Sequence, residues 1–312
     1  MKILVTGGAG FLGANLCRRL LADGHNVTCL DNLCSGREKN IKDLLSCPDF
    51  TFIRADVTEP FDIPCERIYA LACPASPPFY QADPIGTAKT CFLGALNTLE
   101  CARANHARVL LTSTSEVYGE PLVHPQTEDY RGNVNPHGIR SCYDEGKRIA
   151  ECLFFDHQRL YGTDIRVVRL FNSYGPFMRP DDGRVISNLV CQALADKPLT
   201  VYGDGSQTRS FCYVDDTVEG IVRMMENDGF AGPVNIGNPA ERTVREAAET
   251  ILACTHSHSE VVFRPLPGDD PTRRRPDISL AKEKLSWEPQ VAFAEGLAKT
   301  VAWFAKETGR EG

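Results

Sequence analysis

The chain has 312 residues, 42% of them apolar and 24% charged, which suffices for one large α/β domain with an appended part, or for two domains. Its net charge is −7 and its longest basic run is Arg273-Arg274-Arg275, so a general nucleic-acid-binding surface is not expected and small molecules are the expected ligands. The 13 cysteines are scattered without a Cys-x-x-Cys pair, which suits buried residues in a reducing cytosol better than a disulfide framework or a zinc site. Lys2 opens a strand with no leader-like segment before it, and no apolar run reaches the roughly 18 residues of a membrane span, so a cytoplasmic protein without membrane contact is expected.

Lys2-Ile3-Leu4-Val5-Thr6 predicts a strand that runs into Gly7-Gly8-Ala9-Gly10-Phe11-Leu12-Gly13 and then into an amphipathic helix with Leu16, Leu20 and Leu21. Strand, glycine turn and helix in that order form the context of a dinucleotide fingerprint. Gly7 permits the tight turn, Gly10 lets the backbone approach a pyrophosphate at the helix N-terminus, and Gly13 lets the helix sit close to the sheet. The spacing is Gly-x-x-Gly-x-x-Gly rather than Gly-x-Gly-x-x-Gly. A second strand at 27–30 ends at Asp31, whose carboxylate would accept hydrogen bonds from the adenosine ribose and repel a 2′-phosphate. This favours NAD over NADP, with Arg37 nearby pulling the other way.

Further strands predicted at 51–55, 68–72, 109–112 and 165–170 alternate with helical patterns. The fold class is therefore α/β, a Rossmann-like doubly wound parallel sheet with ligands at the carboxyl ends of its strands. Polar groups gather at those ends: Asp56-Val57, Cys73-Pro74-Ala75-Ser76, Thr112 to Glu116, and Asn172-Ser173. Tyr143 and Lys147, four residues apart, would share one helix face, where the ammonium could lower the phenol from about 10 toward neutrality. Such pairs also occur on solvated helix faces; the company of the glycine turn and of Thr112-Ser113-Thr114-Ser115-Glu116 makes this one a candidate for proton transfer. After about Gly175 the elements shorten, with breaks at Arg179-Pro180-Asp181-Asp182-Gly183 and Tyr202-Gly203-Asp204-Gly205. Residues 1–175 are assigned to an NAD-binding domain and 176–312 to a smaller C-terminal substrate-binding part. Val234-Asn235-Ile236-Gly237 predicts a strand returning to the main sheet, so the two parts interleave near 212–240.

Gly7-x-x-Gly10-x-x-Gly13, Tyr143-x3-Lys147 and Phe171-Asn172-Ser173-Tyr174-Gly175-Pro176 together resemble the extended short-chain dehydrogenase/reductase superfamily, whose members modify nucleotide sugars. More specific segments narrow the resemblance to the UDP-glucuronate decarboxylase (UDP-xylose synthase) family. They are Ala72-Cys73-Pro74-Ala75-Ser76-Pro77-Pro78, Thr112-Ser113-Thr114-Ser115-Glu116-Val117-Tyr118-Gly119, Asn133-Val134-Asn135-Pro136, Ser141-Cys142-Tyr143-Asp144-Glu145-Gly146-Lys147-Arg148, Asp182-Gly183-Arg184-Val185 and Gln207-Thr208-Arg209-Ser210-Phe211. The likeness runs from Lys2 to about Phe304. Three positions depart from the family pattern: Cys91 stands where Asn is expected after Lys89-Thr90, His137 and Ile139 interrupt a Pro-Ile-Gly stretch, and Phe177 replaces an Arg after Gly-Pro.

The resemblance implies a three-step reaction on UDP-glucuronate with bound NAD and no metal. Tyr143 would take the proton of the sugar C4 hydroxyl as its hydride leaves, Lys147 would support the phenolate, and Thr114 would orient the same hydroxyl. CO2 would then leave from the 4-keto intermediate, with Glu116 as acid or base around C5, before the ketone is reduced to UDP-xylose. Arg273 would position the substrate through its carboxylate or diphosphate, Arg209 would hold the diphosphate, and Lys89 and Asn172 would contact the substrate. Gly7, Gly10, Phe11, Leu12, Asp31, Asn32, Ser35, Gly36, Asp56, Val57, Leu71 and Ser173, with Tyr143 and Lys147, would contact the cofactor. Ser115 argues against a 4,6-dehydratase, which resembles Thr-Asp-Glu here, and Glu116 disfavours a C4 epimerase. Both stay open as alternatives, as does a non-catalytic NAD-binding sensor. In the resembled family the helices after Thr87 and Tyr143 pair across a two-fold, so a homodimer with a four-helix interface is expected.

Overall fold

Apolar runs too short and too continuous to be amphipathic helices become the strands of one buried sheet. The computed structural model describes residues 1–266, 268 and 273–310. Its first half runs β1 (Lys2–Thr6), α1 (Phe11–Ala22), β2 (Asn26–Asp31), β3 (Phe50–Arg54), β4 (Arg67–Ala70), α2 (Pro77–Ala82), α3 (Pro84–Asn105), β5 (Arg108–Thr114), α4 (Ser141–Tyr161) and β6 (Ile165–Leu170). The six strands expected from the sequence are all present, with no end shifted by more than two residues.

The second half runs β7 (Ser173–Tyr174), α5 (Val185–Leu194), β8 (Leu199–Tyr202), β9 (Thr208–Ser210), β10 (Cys212–Tyr213), α6 (Val214–Glu226), β11 (Val234–Ile236), β12 (Glu241–Thr243), α7 (Val244–Thr255), β13 (Val261–Arg264), α8 (Ser279–Leu285) and α9 (Phe293–Glu307). The main sheet has the order β11-β6-β5-β4-β1-β2-β3, and every pairing in it is parallel. β11 thus sits beside β6, although more than 60 residues of chain separate them. The remaining strands form short pairs that carry the C-terminal part over the carboxyl edge: β10 with β7, β12 with β9, and β13 with β8.

Successive residues of β1 face opposite sides of the sheet. Ile3 and Val5 pack with Leu16 and Leu20 of α1, whereas Leu4 packs in the layer that holds Leu99 of α3 and Phe154 of α4. Each such side chain contributes about 1.5–3 kcal/mol on burial. Burial on both faces explains why these strands read as near-continuous apolar runs.

Strand order reverses between β1 and β4, and a crevice opens there at the carboxyl edge. Gly7 turns out of β1 at φ +73°, and a Cβ on it would stand 2.8 Å from the Ala72 backbone just beyond β4. Only glycine meets both conditions. A Cβ on Gly13 would stand 2.2 Å from the Gly7 carbonyl oxygen, so this glycine lets α1 close onto the turn.

Candidate active site

β5 ends in hydroxyls and stops where the polar cluster begins. Thr114, in extended conformation, accepts the Glu116 N–H at 3.3 Å and opens a short 3-10 turn over Ser115–Tyr118. That turn folds Glu116 back over the end of the sheet and buries it. Arg274 grips its carboxylate with both terminal nitrogens, Nη1 to Oε1 at 2.6 Å and Nη2 to Oε2 at 2.7 Å. Arg140, one residue before α4, adds a contact to Oε2 at 2.8 Å. Burial pushes the Glu116 carboxyl up, but the two guanidinium charges outweigh it and hold it at about 2.

One turn into α4, Asp144 lies 4.0 Å from Arg140, and its Oδ1 is buried without a hydrogen-bond partner. Burial first, and the Glu116 charge second, raise its carboxyl to about 8. Two carboxylates and two guanidiniums thus share one buried cluster, in which burial and the Glu116 charge favour the protonated form of Asp144.

Tyr143 is buried, its ring stacked on that of Tyr80 with centroids 5.3 Å apart and planes 4° from parallel. Burial pushes its phenol well above the ordinary value, while a hydrogen bond with Thr114 pulls the other way. The lowering expected from the Tyr-x3-Lys spacing is therefore not what the protein's own side chains produce. Lys147 does lie on the same face, but its Nζ is 6.0 Å from the ring centroid and donates to the Thr112 carbonyl at 3.0 Å. The loss of water around the phenol outweighs the ammonium at that distance.

Thr114, Glu116, Tyr80, Arg140, Tyr143, Lys147 and Arg274 line a cleft of about 790 Å³ at the carboxyl edge. Gly7, Gly10, Phe11, Leu12, Asp31, Asn32, Ser35, Gly36, Asp56, Val57, Leu71 and Ser173 line it as well, as do Lys89, Asn172 and Arg209. Asp31 is fixed by two backbone donors, Ala9 N–H to Oδ2 at 3.0 Å and Leu33 N–H to Oδ1 at 2.8 Å. Asn32 donates to Asp56 at 2.8 Å, tying the ends of β2 and β3 together. A glycine turn, an α-helix N-terminus without a side-chain cap and a fixed carboxylate one strand away suit a dinucleotide. Arg37, which could have met a 2′-phosphate, instead pairs with Glu307 at 2.7 Å.

Arg273 lies apart from the other candidates: it is exposed and is not among the described residues that line the cleft, whereas its neighbour Arg274 is buried in it. Three arginines in a row carry no local mark of which one faces inward. Register is set from outside: Arg275 N–H donates to the Gln126 side chain at 2.8 Å, and Gln126 N–H donates to the Arg275 carbonyl at 2.9 Å. Alternation along this extended segment then turns Arg274 in and Arg273 out.

Arg140, Asp144 and Tyr80 also escaped the sequence reading. Arg140 had one usable signal, its place three residues before Tyr143 at the start of a helix, on the same face. Of the departures, Phe177 is accommodated by packing: the Arg18 guanidinium lies 4.0 Å above its ring and Trp303 stands 5.8 Å away. Cys91 packs beside Cys73, and His137 is exposed.

Residues 3–237 match the NAD dependent epimerase/dehydratase family. UDP-glucuronic acid decarboxylase 6 of Arabidopsis thaliana is 55% identical over 298 residues, covering 95% of this chain and 87% of that protein. The solved UDP-glucose 4-epimerase of Thermotoga maritima with UDP-glucose is 30% identical with a TM-score of 0.90, covering 99% of this chain and 100% of that one. The UDP-glucuronic acid 4-epimerase of Bacillus cereus, solved with UDP-glucuronic acid and NAD, is 28% identical with a TM-score of 0.89, covering 98% and 100%. The chain belongs to the NAD dependent epimerase/dehydratase family, and within it stands with the UDP-glucuronic acid decarboxylases.

Proposed function

We propose that this chain converts UDP-glucuronate to UDP-xylose and CO2, with NAD in the same cleft. The observation that carries the reading is Glu116, set two residues beyond Thr114 in the lining of the cleft and gripped by Arg274 and Arg140. A C4 epimerase needs no carboxylate there, and Ser115, in the position a dehydratase gives to an acid, cannot supply a proton at neutral pH.

Gly7, Gly10, Asp31 and Lys147 would hold NAD, which would supply a hydride acceptor for C4 and the hydride for its re-reduction, so that net redox is zero. Tyr143 takes the C4 hydroxyl proton, and the Lys147 ammonium together with the Thr114 hydrogen bond favours its charged form. Once C4 is a ketone, the C5 carboxylate is β to it, and CO2 leaves with its electrons delocalised into an enolate. Arg274 is the cation that receives the substrate's carboxylate or diphosphate. When that anion competes for Arg274, Glu116 keeps only Arg140 and becomes a stronger base, able to carry the proton needed at C5. Arg209, Lys89 and Asn172 hold the nucleotide sugar, the guanidinium suiting a diphosphate. Residues 1–175 form the NAD-binding domain, and the part from 176 onward adds Arg209 and Arg274.

Assembly follows from the outer faces of α3 and α4. Ile85, Phe92, Ile149 and Leu160 are exposed on them, and two copies joined there would make a four-helix homodimer interface. Among the described residues no helix is long and apolar enough to cross a membrane. The 13 free thiols suit a reducing compartment, and the cytoplasm is the proposed location.

Purified protein given UDP-glucuronate should release CO2 and form UDP-xylose without added reductant. UDP-galacturonate with no CO2 would replace this reading by an epimerase, and no turnover by protein that retains NAD would leave a binding module. A monomer in sedimentation would remove the dimer.

A further inference from the structure

Two cysteines that the chemistry above does not use meet at the wall of the cleft. Cys73 follows β4 and lines the cleft, whereas Cys91 is buried in α3. Their sulfurs are 3.3 Å apart. On its other side Cys91 presses against α4, where a Cβ added to Gly146 would stand 2.8 Å from the Cys91 sulfur. Gly146 directly precedes Lys147, so the thiol pair lies between the cleft wall and the helix that carries Tyr143 and Lys147. The hydrogen bond from Cys73 lowers the Cys91 thiol, with help from the Lys147 charge, while the same bond and burial push Cys73 up. The thiolate is therefore favoured on Cys91 and the proton on Cys73.

We propose that Cys73 and Cys91 form a redox-active dithiol that takes a hydroperoxide as its oxidant and closes to a disulfide beside Lys147. Cys73 lines the cleft, by which a small peroxide arrives. Cys91, the sulfur on which the thiolate is favoured, takes the Cys73 proton as Cys73 attacks one peroxide oxygen; the O–O bond breaks, and the leaving oxygen departs as water after taking up a proton from solvent. Cys91 then attacks the sulfur of the Cys73 sulfenic acid and expels a second water. Two thiols lose two electrons and two protons, and one hydrogen peroxide becomes two waters. A disulfide needs a sulfur separation of about 2.05 Å, so the two side chains share a closing movement of roughly 1.2 Å. Cys73 leads the Cys73-Pro74-Ala75-Ser76 wall of the cleft, and drawing it toward α3 shifts that wall against Tyr143 and Lys147. A displacement of about 1 Å at a positioning surface costs turnover on the order of 10- to 100-fold.

The protein as purified, with its NAD, should be treated with hydrogen peroxide, alkylated and mapped by mass spectrometry. The expected product is a Cys73–Cys91 linked peptide, lighter by two hydrogens, with turnover of UDP-glucuronate falling at least about tenfold and recovering in dithiothreitol. Cys91→Asn and Cys91→Ser should each keep their turnover through the same treatment. The map reads the dithiol whatever substrate the cleft accepts, so its outcome is separate from that of the decarboxylase assay. Both thiols still alkylating after other cysteines have oxidised would overturn the proposal, as would Cys73 reaching sulfinic acid without a linked peptide. A linked peptide with unchanged turnover would overturn the coupling to the Tyr143 helix.

Discussion

Arg274 meets Glu116 end on, each terminal nitrogen on one carboxylate oxygen, and both residues are buried. Two parallel charge-assisted bonds fix the plane of the carboxylate as well as its charge. Because Arg274 lies 158 residues after Glu116 in the chain, the pair also ties the C-terminal part to the end of the central sheet.

Arg274→Ala should lower kcat/KM for UDP-glucuronate by about 100-fold or more, since a preorganised cation is lost from a water-poor site. It should also cost about 3 kcal/mol of stability by leaving the buried Glu116 with one partner fewer. Arg273→Ala, on the exposed neighbour, should leave both close to wild type. Steady-state kinetics and thermal unfolding of the two variants decide between them; equal losses would mean that the charge run acts as a unit.

Tyr143→Phe should reduce kcat by roughly 10²–10⁴-fold, the range for a positioned acid–base group. NAD content should be unchanged, because the ring keeps its stack on Tyr80. Near-normal turnover in this variant would take Tyr143 out of the chemistry.

Tyr143 also marks the limit of what the sequence discloses. Its spacing to Lys147 was legible because helix geometry is local, and the strands were legible because burial on both faces leaves continuous apolar runs. The direction of the phenol's shift was not, since it depends on burial against Tyr80 and on Lys147 being occupied by the Thr112 carbonyl, contacts made across 63 and 35 residues. Arg274 was missed for the same reason: its inward orientation is imposed by Gln126, and nothing within Arg273-Arg274-Arg275 distinguishes the middle residue. Local motifs located the site; distant packing set its charges.

Glu116→Gln should slow decarboxylation more than oxidation. In a single turnover with UDP-glucuronate, the absorbance of reduced nicotinamide should rise and persist, whereas in the wild type it decays as UDP-xylose forms. If reduced nicotinamide never accumulates and the oxidation slows equally, Glu116 has no separate part at C5.

Asp31→Asn should weaken NAD binding by about tenfold, the loss of a hydrogen bond to a charged acceptor. The amide oxygen can still accept one of the backbone N–H groups that now hold Asp31. NADP should remain a poor ligand in this variant, because Arg37 stays paired with Glu307. Adding Glu307→Gln should remove the ion pair, leaving Arg37 with its hydrogen bonds to Asn40 and the Met178 carbonyl, and raise NADP affinity, measurable by calorimetry. NADP bound as well as NAD by the wild type would contradict the role given to Asp31.

Asp144 and Glu116 make opposite contributions to stability as pH changes. The Glu116 carboxyl lies at about 2 in the folded chain against an ordinary 4.5, so the unfolded state binds the proton more tightly and this stabilisation is lost as pH falls below about 4.5. Asp144 lies at about 8 against 3.8, so the folded state binds the proton more tightly. Between those values the folded chain carries a proton that the unfolded chain has released, and stability declines as pH rises from about 4 to 8. Asp144→Asn mimics the protonated carboxyl at every pH and removes that slope. Thermal unfolding across this window should show the wild type losing ground to Asp144→Asn as pH rises, with the largest difference near pH 8. Parallel curves for the two proteins would mean that Asp144 is already ionised in the folded chain, and that Arg140 alone balances it.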